Sequence, residues 1–204
     1  MLLETEGCLD YDERDLPADL PALNLAYHAH LPLDLPWQDG SGAVADAIFG
    51  LEQKIAFLCP RGYVLHPPAP GRLSGLLRQR PDLASMLWLE NTGQGDLTEI
   101  WDEITALGLG VCLDVGHLVS YGQDRIMSLP GFFDRVRILH IYGAESKQGH
   151  AGLEHLPDPG LLRDILQRVR GDETLVVEIF SLKELERSLG VLKSWLLRWG
   201  MEYD

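Results

Sequence analysis

The chain has 204 residues, 46% hydrophobic and 24% charged, with a formal net charge of −14. That size and balance suit one globular domain spanning 1–204, and the acidity speaks against a nucleic-acid partner, because gripping phosphates rests on Lys and Arg. Three dispersed cysteines, an acidic start and no run near the roughly 18 apolar residues that span a bilayer predict a cytoplasmic protein with no membrane contact.

Seven short apolar runs follow one another along the chain. They are MLLETEG at the start, LNLAYHAH at 23–30, GYVLHPP at 62–68 and MLWLENTG at 86–93, then LGVCLDVGH at 109–117, VRILHIYG at 136–143 and TLVVEIF at 174–180. They are near-continuously apolar, the pattern of parallel strands covered on both faces. Between them AVADAIFGLEQKIAFL, DLTEIWDEITALG and LLRDILQRVR carry apolar residues at helical spacing. SLKELERSLGVLKSWLLRW does the same, and Ser181 with Glu184 three residues on forms a capping box. Strand, helix, strand without a linker is a parallel α/β pattern. A doubly wound sheet would carry a Gly-rich phosphate turn after an early strand, and none occurs. A (β/α) barrel instead places polar residues at the C-terminal ends of many strands.

The runs end in such residues: His28 and His30, then His66, Glu90, Asp114 with His117, His140 and Glu178. In an extended chain His28 and His30, two apart, point to the same face. In LDVGH, Gly116 allows a tight turn between Asp114 and His117. Each residue alone has an ordinary reading, Asp114 as a helix cap and a strand-end histidine as a hydrogen-bonded structural group. Glu178, inside LVVEIF, is harder to dismiss, because a buried carboxylate needs a partner. Together these groups at one end of consecutive strands are a ligand set for divalent metal: zinc, manganese or iron.

HAHLPL, VLHPP, LWLENT, VCLDVGHL, ILHIYG and VVEIF, from about residue 23 to 180, resemble in order the strand-end motifs of the xylose isomerase-like TIM barrels. That superfamily holds the endonuclease IV-type (AP endonuclease family 2) enzymes and sugar isomerases and epimerases. Within it, YHAHLPLDLPW and HIYGA...EHL look most like the cobamide-remodelling phosphodiesterases (CbiR). The resemblance implies two to three metals per chain. His28 and His66 hold one, with Glu90 bridging to the next; Asp114, His140 and Glu178 complete the second; His117 and His155 hold the third. The Asp of the Asp-x-His pair expected at the third metal is absent at that spacing in GHAGLEHLPDPG, where Glu154 and His150 are the alternatives. Glu90 and Glu178 double as catalytic groups that position the attacking water. His30 either contacts substrate or bonds to a ligand residue, and Trp37 and Tyr142 are candidate apolar walls for the substrate. The resemblance also implies one further strand–helix unit before MLLETEG, so this chain, shorter than the about 250 residues of such barrels, reads either as one whose start is placed late or as one lacking its first βα unit. The gap would be covered by a neighbouring element or by a second copy in a homodimer.

The functional expectation is a metal-dependent phosphodiesterase hydrolysing a small phosphodiester, a corrinoid among the substrates. The alternative is a sugar isomerase or epimerase, which would use a single metal on Glu90, Asp114, His140 and Glu178 and leave the other histidines idle. An abasic-site endonuclease and a non-catalytic binding protein stand behind these two.

Overall fold

The computed structural model describes residues 4–12, 16–146 and 149–202, and the chain divides into two compact units. The first is Met1–Glu90 with Glu99–Gly110; the second is Asn91–Thr98 with Val111–Asp204.

In the first unit α1 (Thr5–Asp10) precedes β1 (Ala29–His30), α2 (Ser41–Ile55), β2 (Tyr63–Leu65), α3 (Arg72–Gln79), β3 (Leu87–Glu90) and α4 (Trp101–Leu107). β1 pairs β2 and β2 pairs β3, both parallel, with His30 opposite Val64 and Val64 opposite Trp88. This register sets the site. His30, Val64 and Trp88 share one row on one face, and the next row of that face, two residues on, carries His66 and Glu90. His28 lies one row behind His30. Val44, Ile48, Leu65, Leu73, Leu76, Leu87, Leu89 and Ile104 are buried as the core of this unit.

Among the described residues the run MLLETEG forms no strand. Of MLLETEG, residues 1–3 lie outside the described residues, and Thr5 onward is the helix α1. The strand reading leaned on Leu2 and Leu3, whereas TEGCLD has no β-branched alternation. The N–H and hydroxyl of Thr5 both donate to Asp34 Oδ1, at 2.7 and 2.8 Å, and pin the start of the helix. Among the described residues there are therefore six parallel strands, three in each unit, and not seven.

In the second unit β4 (Gly110–Asp114, from Val111 on) is followed by α5 (Val115–Ser120), α6 (Phe132–Arg135) and β5 (Val136–Ile141). A hairpin of β6 (Glu145–Ser146) and β7 (Gly149–His150) comes next, then α7 (Pro159–Arg168), β8 (Thr174–Val177) and α8 (Leu182–Trp199). β4, β5 and β8 run parallel, with Asp114 opposite His140 and His140 opposite Val176. The ladder continues as Glu178 N–H donates to the Ile141 carbonyl at 3.1 Å, which brings Glu178 to the same strand ends. The capping box is present: Ser181 Oγ accepts from Glu184 N–H. Ser188, fully buried on α8, accepts from Leu153 N–H at 3.0 Å and ties down the segment after the hairpin.

Gly116 serves a purpose other than the expected turn. It lies inside α5, and a Cβ there would overlap the ring of Tyr142, which is fully buried. The LDVGH glycine is a packing requirement of the helix against that ring.

Two outcomes are expected from this packing. Gly116→Ala gains about 1 kcal/mol of helix propensity but forces a pinned, buried ring to move. Such overpacking costs about 1–3 kcal/mol, so urea denaturation should show a net loss of stability. Glu103, on α4, accepts from Gly71 N–H at 2.8 Å and from Ser74 N–H and Oγ at 2.7 and 2.8 Å, capping α3 where Gly71 offers no side chain. Burial raises its pKa, but these donors outweigh it and hold the carboxyl below its ordinary value of 4.5. A folded pKa below the unfolded one gives stability above pH 4.5 that is lost as pH falls through the lowered value. Glu103→Gln should therefore lower the thermal midpoint at neutral pH, and the gap from wild type should close in acid.

Candidate metal centre

In the first unit His30 Nε2 and His66 Nε2 lie 3.0 and 2.9 Å from the same oxygen, Glu90 Oε2. The Glu90 side chain is only 2% exposed, at the inner end of β3. His30 Nδ1 is 2.8 Å from the carbonyl of Leu31, and a carbonyl only accepts, so Nδ1 carries the proton. A singly protonated His30 therefore turns a lone pair toward a carboxylate oxygen. Two electron-rich atoms at that distance repel unless a cation or a second proton lies between them.

His28 is not part of this group. Its ring lies 6.4 Å from that of Trp88, where the strand register puts it, one row deeper than His30. The shared face of the two histidines is thus present, but His30 takes the place at His66 and Glu90 that the resemblance assigned to His28. Trp37 sits half-buried on a short 3-10 turn, with Arg72 Nη1 donating to its carbonyl at 3.1 Å.

The second unit carries two groups. In the first, ligand atoms of Asp114, His140 and Glu178 lie within 4.8 Å of one another, with His140 Nδ1 3.2 Å from Glu178 Oε2. Asp114 is wholly buried and His140 is 3% exposed. Asp114 does cap α5, its Oδ1 accepting from His117 N–H at 2.6 Å, so the ordinary reading of this residue holds beside the functional one. The second group is His117, Glu145 and His150. His117 Nε2 and His150 Nε2 are 3.2 and 3.3 Å from Glu145 Oε1. Their Nδ1 atoms face backbone carbonyls, Asn91 for His117 and Glu178 for His150, each at 2.9 Å. When singly protonated, both imidazoles therefore present Nε2 lone pairs to one carboxylate.

The donor set fits divalent metal. Nitrogen and oxygen ligands held about 2.0–2.1 Å from a tetrahedral ion stand roughly 3.3 Å apart, close to the separations in this second group. One cation relieves the repulsion of both imidazoles at once, whereas protons would be needed in pairs. Glu145 Oε1 also accepts from Tyr142 Oη at 3.1 Å. Burial first, then the charges of Asp114, Glu145 and Glu178, push the Tyr142 phenol far above its ordinary pKa, so it stays a donor and cannot act as a base.

Several placements differ from the sequence reading. Tyr142 is not an open substrate wall: it is fully buried and stacks on His150 with centroids 3.8 Å apart. His155 stays outside the second group, its side chain 61% exposed and its Nε2 3.9 Å from Glu154 Oε1. The short 3-10 turn Leu153–His155 carries it to the surface, while the hairpin register sets His150 directly opposite Glu145. Glu145 escaped the sequence reading because it follows the apolar run, and only hairpin pairing reveals it. Asn91 escaped too. Fully buried, it donates to the Asp114 carbonyl and accepts from the Asp114 N–H, both at 2.9 Å, clamping that ligand's backbone. Its signal was a polar residue directly after a strand-end Glu.

Neither a protein-family model nor a curated protein matches the chain. Solved structures do. Endonuclease IV from Thermus thermophilus is 20% identical with a TM-score of 0.63, over 85% of this chain and 77% of that one. The 3-keto-D-glucoside 4-epimerase YcjR from E. coli is 14% identical with a TM-score of 0.60, over 95% and 87%. The IolI protein, with a zinc atom bound, is 15% identical with a TM-score of 0.61, over 95% and 83%. These neighbours are xylose isomerase-like TIM-barrel proteins, and theirs is the fold of this chain.

Proposed function

We propose that this chain is a metal-dependent phosphodiesterase acting on a small phosphodiester, with the nucleotide loop of a corrinoid as the substrate implied by its resemblance to the cobamide-remodelling enzymes. One observation carries the reading: the second unit alone holds two adjoining ligand groups, Asp114–His140–Glu178 and His117–Glu145–His150. They touch through His117 Nδ1, 3.3 Å from Asp114 Oδ2, and through His150 Nδ1, 2.9 Å from the Glu178 carbonyl. A single-metal isomerase has no use for the second group. A multinuclear phosphoesterase does, and His30, His66 and Glu90 add a further set.

When bound, divalent ions supply Lewis acidity toward phosphoryl oxygens and a nucleophile at neutral pH. The residues of the chain hold and orient. Backbone carbonyls face the Nδ1 of His30, His117 and His150, which supports Nε2 as the ligating atom of each ring. Tyr142 holds Glu145 by its hydroxyl proton. In this reading the Glu178 carboxylate, 3.2 Å from His140 and 19% exposed, orients an attacking water and takes up its proton. Histidine and carboxylate ligands accept zinc, manganese or iron. The net charge of −14 disfavours a duplex substrate, although one neighbour is an endonuclease.

The isomerase reading keeps support from the Asp114–His140–Glu178 group, which suffices for one ion, and metal content decides between the two. Elemental analysis of protein purified without chelator should return at least two equivalents per chain. A single equivalent that added metal does not raise would favour the isomerase. Glu90 faces both His30 and His66 in the first unit, so Glu90→Gln should lose more metal than Phe49→Ala, an exposed control. Metal-loaded protein should cleave a cobamide to its cobinamide-type product and leave an abasic duplex and a ketohexose unchanged. Epimerised sugar or a nicked duplex, with the cobamide intact, would overturn the proposal.

A further inference from the structure

We infer that Tyr121 and Phe180 are the walls that seat a planar aromatic ring of the substrate beside the His117–Glu145–His150 group. This rests on the phosphodiesterase reading and names the class of phosphoester it selects: one that carries a flat, unsaturated ring near the phosphate.

Both residues are aromatic and yet open to solvent, Tyr121 by 48% and Phe180 by 65%. Each stands against a different imidazole of the group. The Tyr121 ring is 5.6 Å from His117, tilted by 36°, and the Phe180 ring is 5.3 Å from His150, tilted by 39°. The two imidazoles are 6.4 Å apart and nearly perpendicular. The two imidazoles are therefore each neighboured by an exposed aromatic ring, while Tyr142 stacks on His150.

The walls are anchored. Tyr121 ends α5, its N–H donating to the His117 carbonyl at 2.9 Å. Its ring lies over Gly93, where a Cβ would overlap it. Phe180 sits between the buried Ile179 and Ser181, the cap of α8. Rings held on fixed backbone lose little freedom when a ligand covers them, so apolar area buried there is retained as affinity. Aromatic faces accept a planar ring in offset or tilted stacking, whereas a hydroxyl-rich sugar needs hydrogen-bonding groups that Phe180 lacks.

Calorimetry on zinc-reconstituted protein with inorganic phosphate, methyl phosphate and phenyl phosphate tests this. Phenyl phosphate should bind about tenfold more tightly than methyl phosphate. Phe180→Ala and Tyr121→Ala should each remove several-fold of that preference and leave inorganic phosphate unaffected. Phe180→Trp should restore it. Gly93→Ala, which keeps both rings but takes the space of Tyr121, should also lower phenyl phosphate binding selectively. If phosphate and methyl phosphate bind while phenyl phosphate gains nothing, or if the preference survives both alanine variants, the aromatic walls are refuted and the phosphoester reading stands. If none of the three ligands binds, both fall.

Discussion

Backbone carbonyl oxygens hold the Nδ1–H of three imidazoles: Leu31 for His30, Asn91 for His117 and Glu178 for His150, at 2.8, 2.9 and 2.9 Å. Two of the three ligand groups, one in each unit, depend on this. A carbonyl cannot donate, so each bond fixes the tautomer as well as the ring plane. Each ring then has one direction left for its lone pair, and in every case a carboxylate oxygen waits there. Without those carbonyls the same histidines could rotate and serve as hydrogen-bond donors to Glu90 or Glu145, and the clusters would be ordinary polar contacts.

The carbonyls are themselves held by the fold. Asn91 reaches both backbone groups of Asp114 and donates to Gln123, and Gln123 donates to the carbonyl of Thr92. This network is buried and internally satisfied, the condition under which buried polar groups stiffen a structure and do not weaken it. It sets the Asn91 carbonyl for His117 and the Asp114 carboxylate for the start of α5 by one set of bonds. Tyr142, fully buried in the space that Gly116 leaves, braces His150 from one side and Glu145 from another.

Electrostatics explains why such a cluster is not a stability device. Burying several carboxylates near one another costs free energy that packing does not return. The second unit accepts that cost at Asp114, wholly buried, with Glu145 and Glu178 half-buried in its ligand groups. Arg80, with Glu52 and Asp82, is the contrasting case. There the ion pair is made within the protein, and the arginine stays charged. At the candidate metal centre histidines face the carboxylates instead, and a bound cation or added protons would balance the charge.

How much of this was legible beforehand depends on the range of the interactions involved. The parallel strands, the helices between them, the capping box at Ser181 and the polar residues at strand ends all follow from local periodicity, which a one-dimensional sequence contains. So did Asp114, His140 and Glu178, since register along parallel neighbours aligns residues that already stand at strand ends. What was not legible turned on placements finer than that. The choice of His30 over His28 depends on one row of strand register. The exchange of His155 for His150 depends on a hairpin whose pairing sets Glu145 opposite His150. The start of the chain, read as a strand, is helical from Thr5 because Asp34, far along the chain, binds that residue twice. The sequence by itself determined which residue types reach the strand ends and that they are suited to metal. Only the tertiary structure decided which of them meet, because a shift of one row or one turn moves a side chain by several ångströms, more than the reach of a ligand bond.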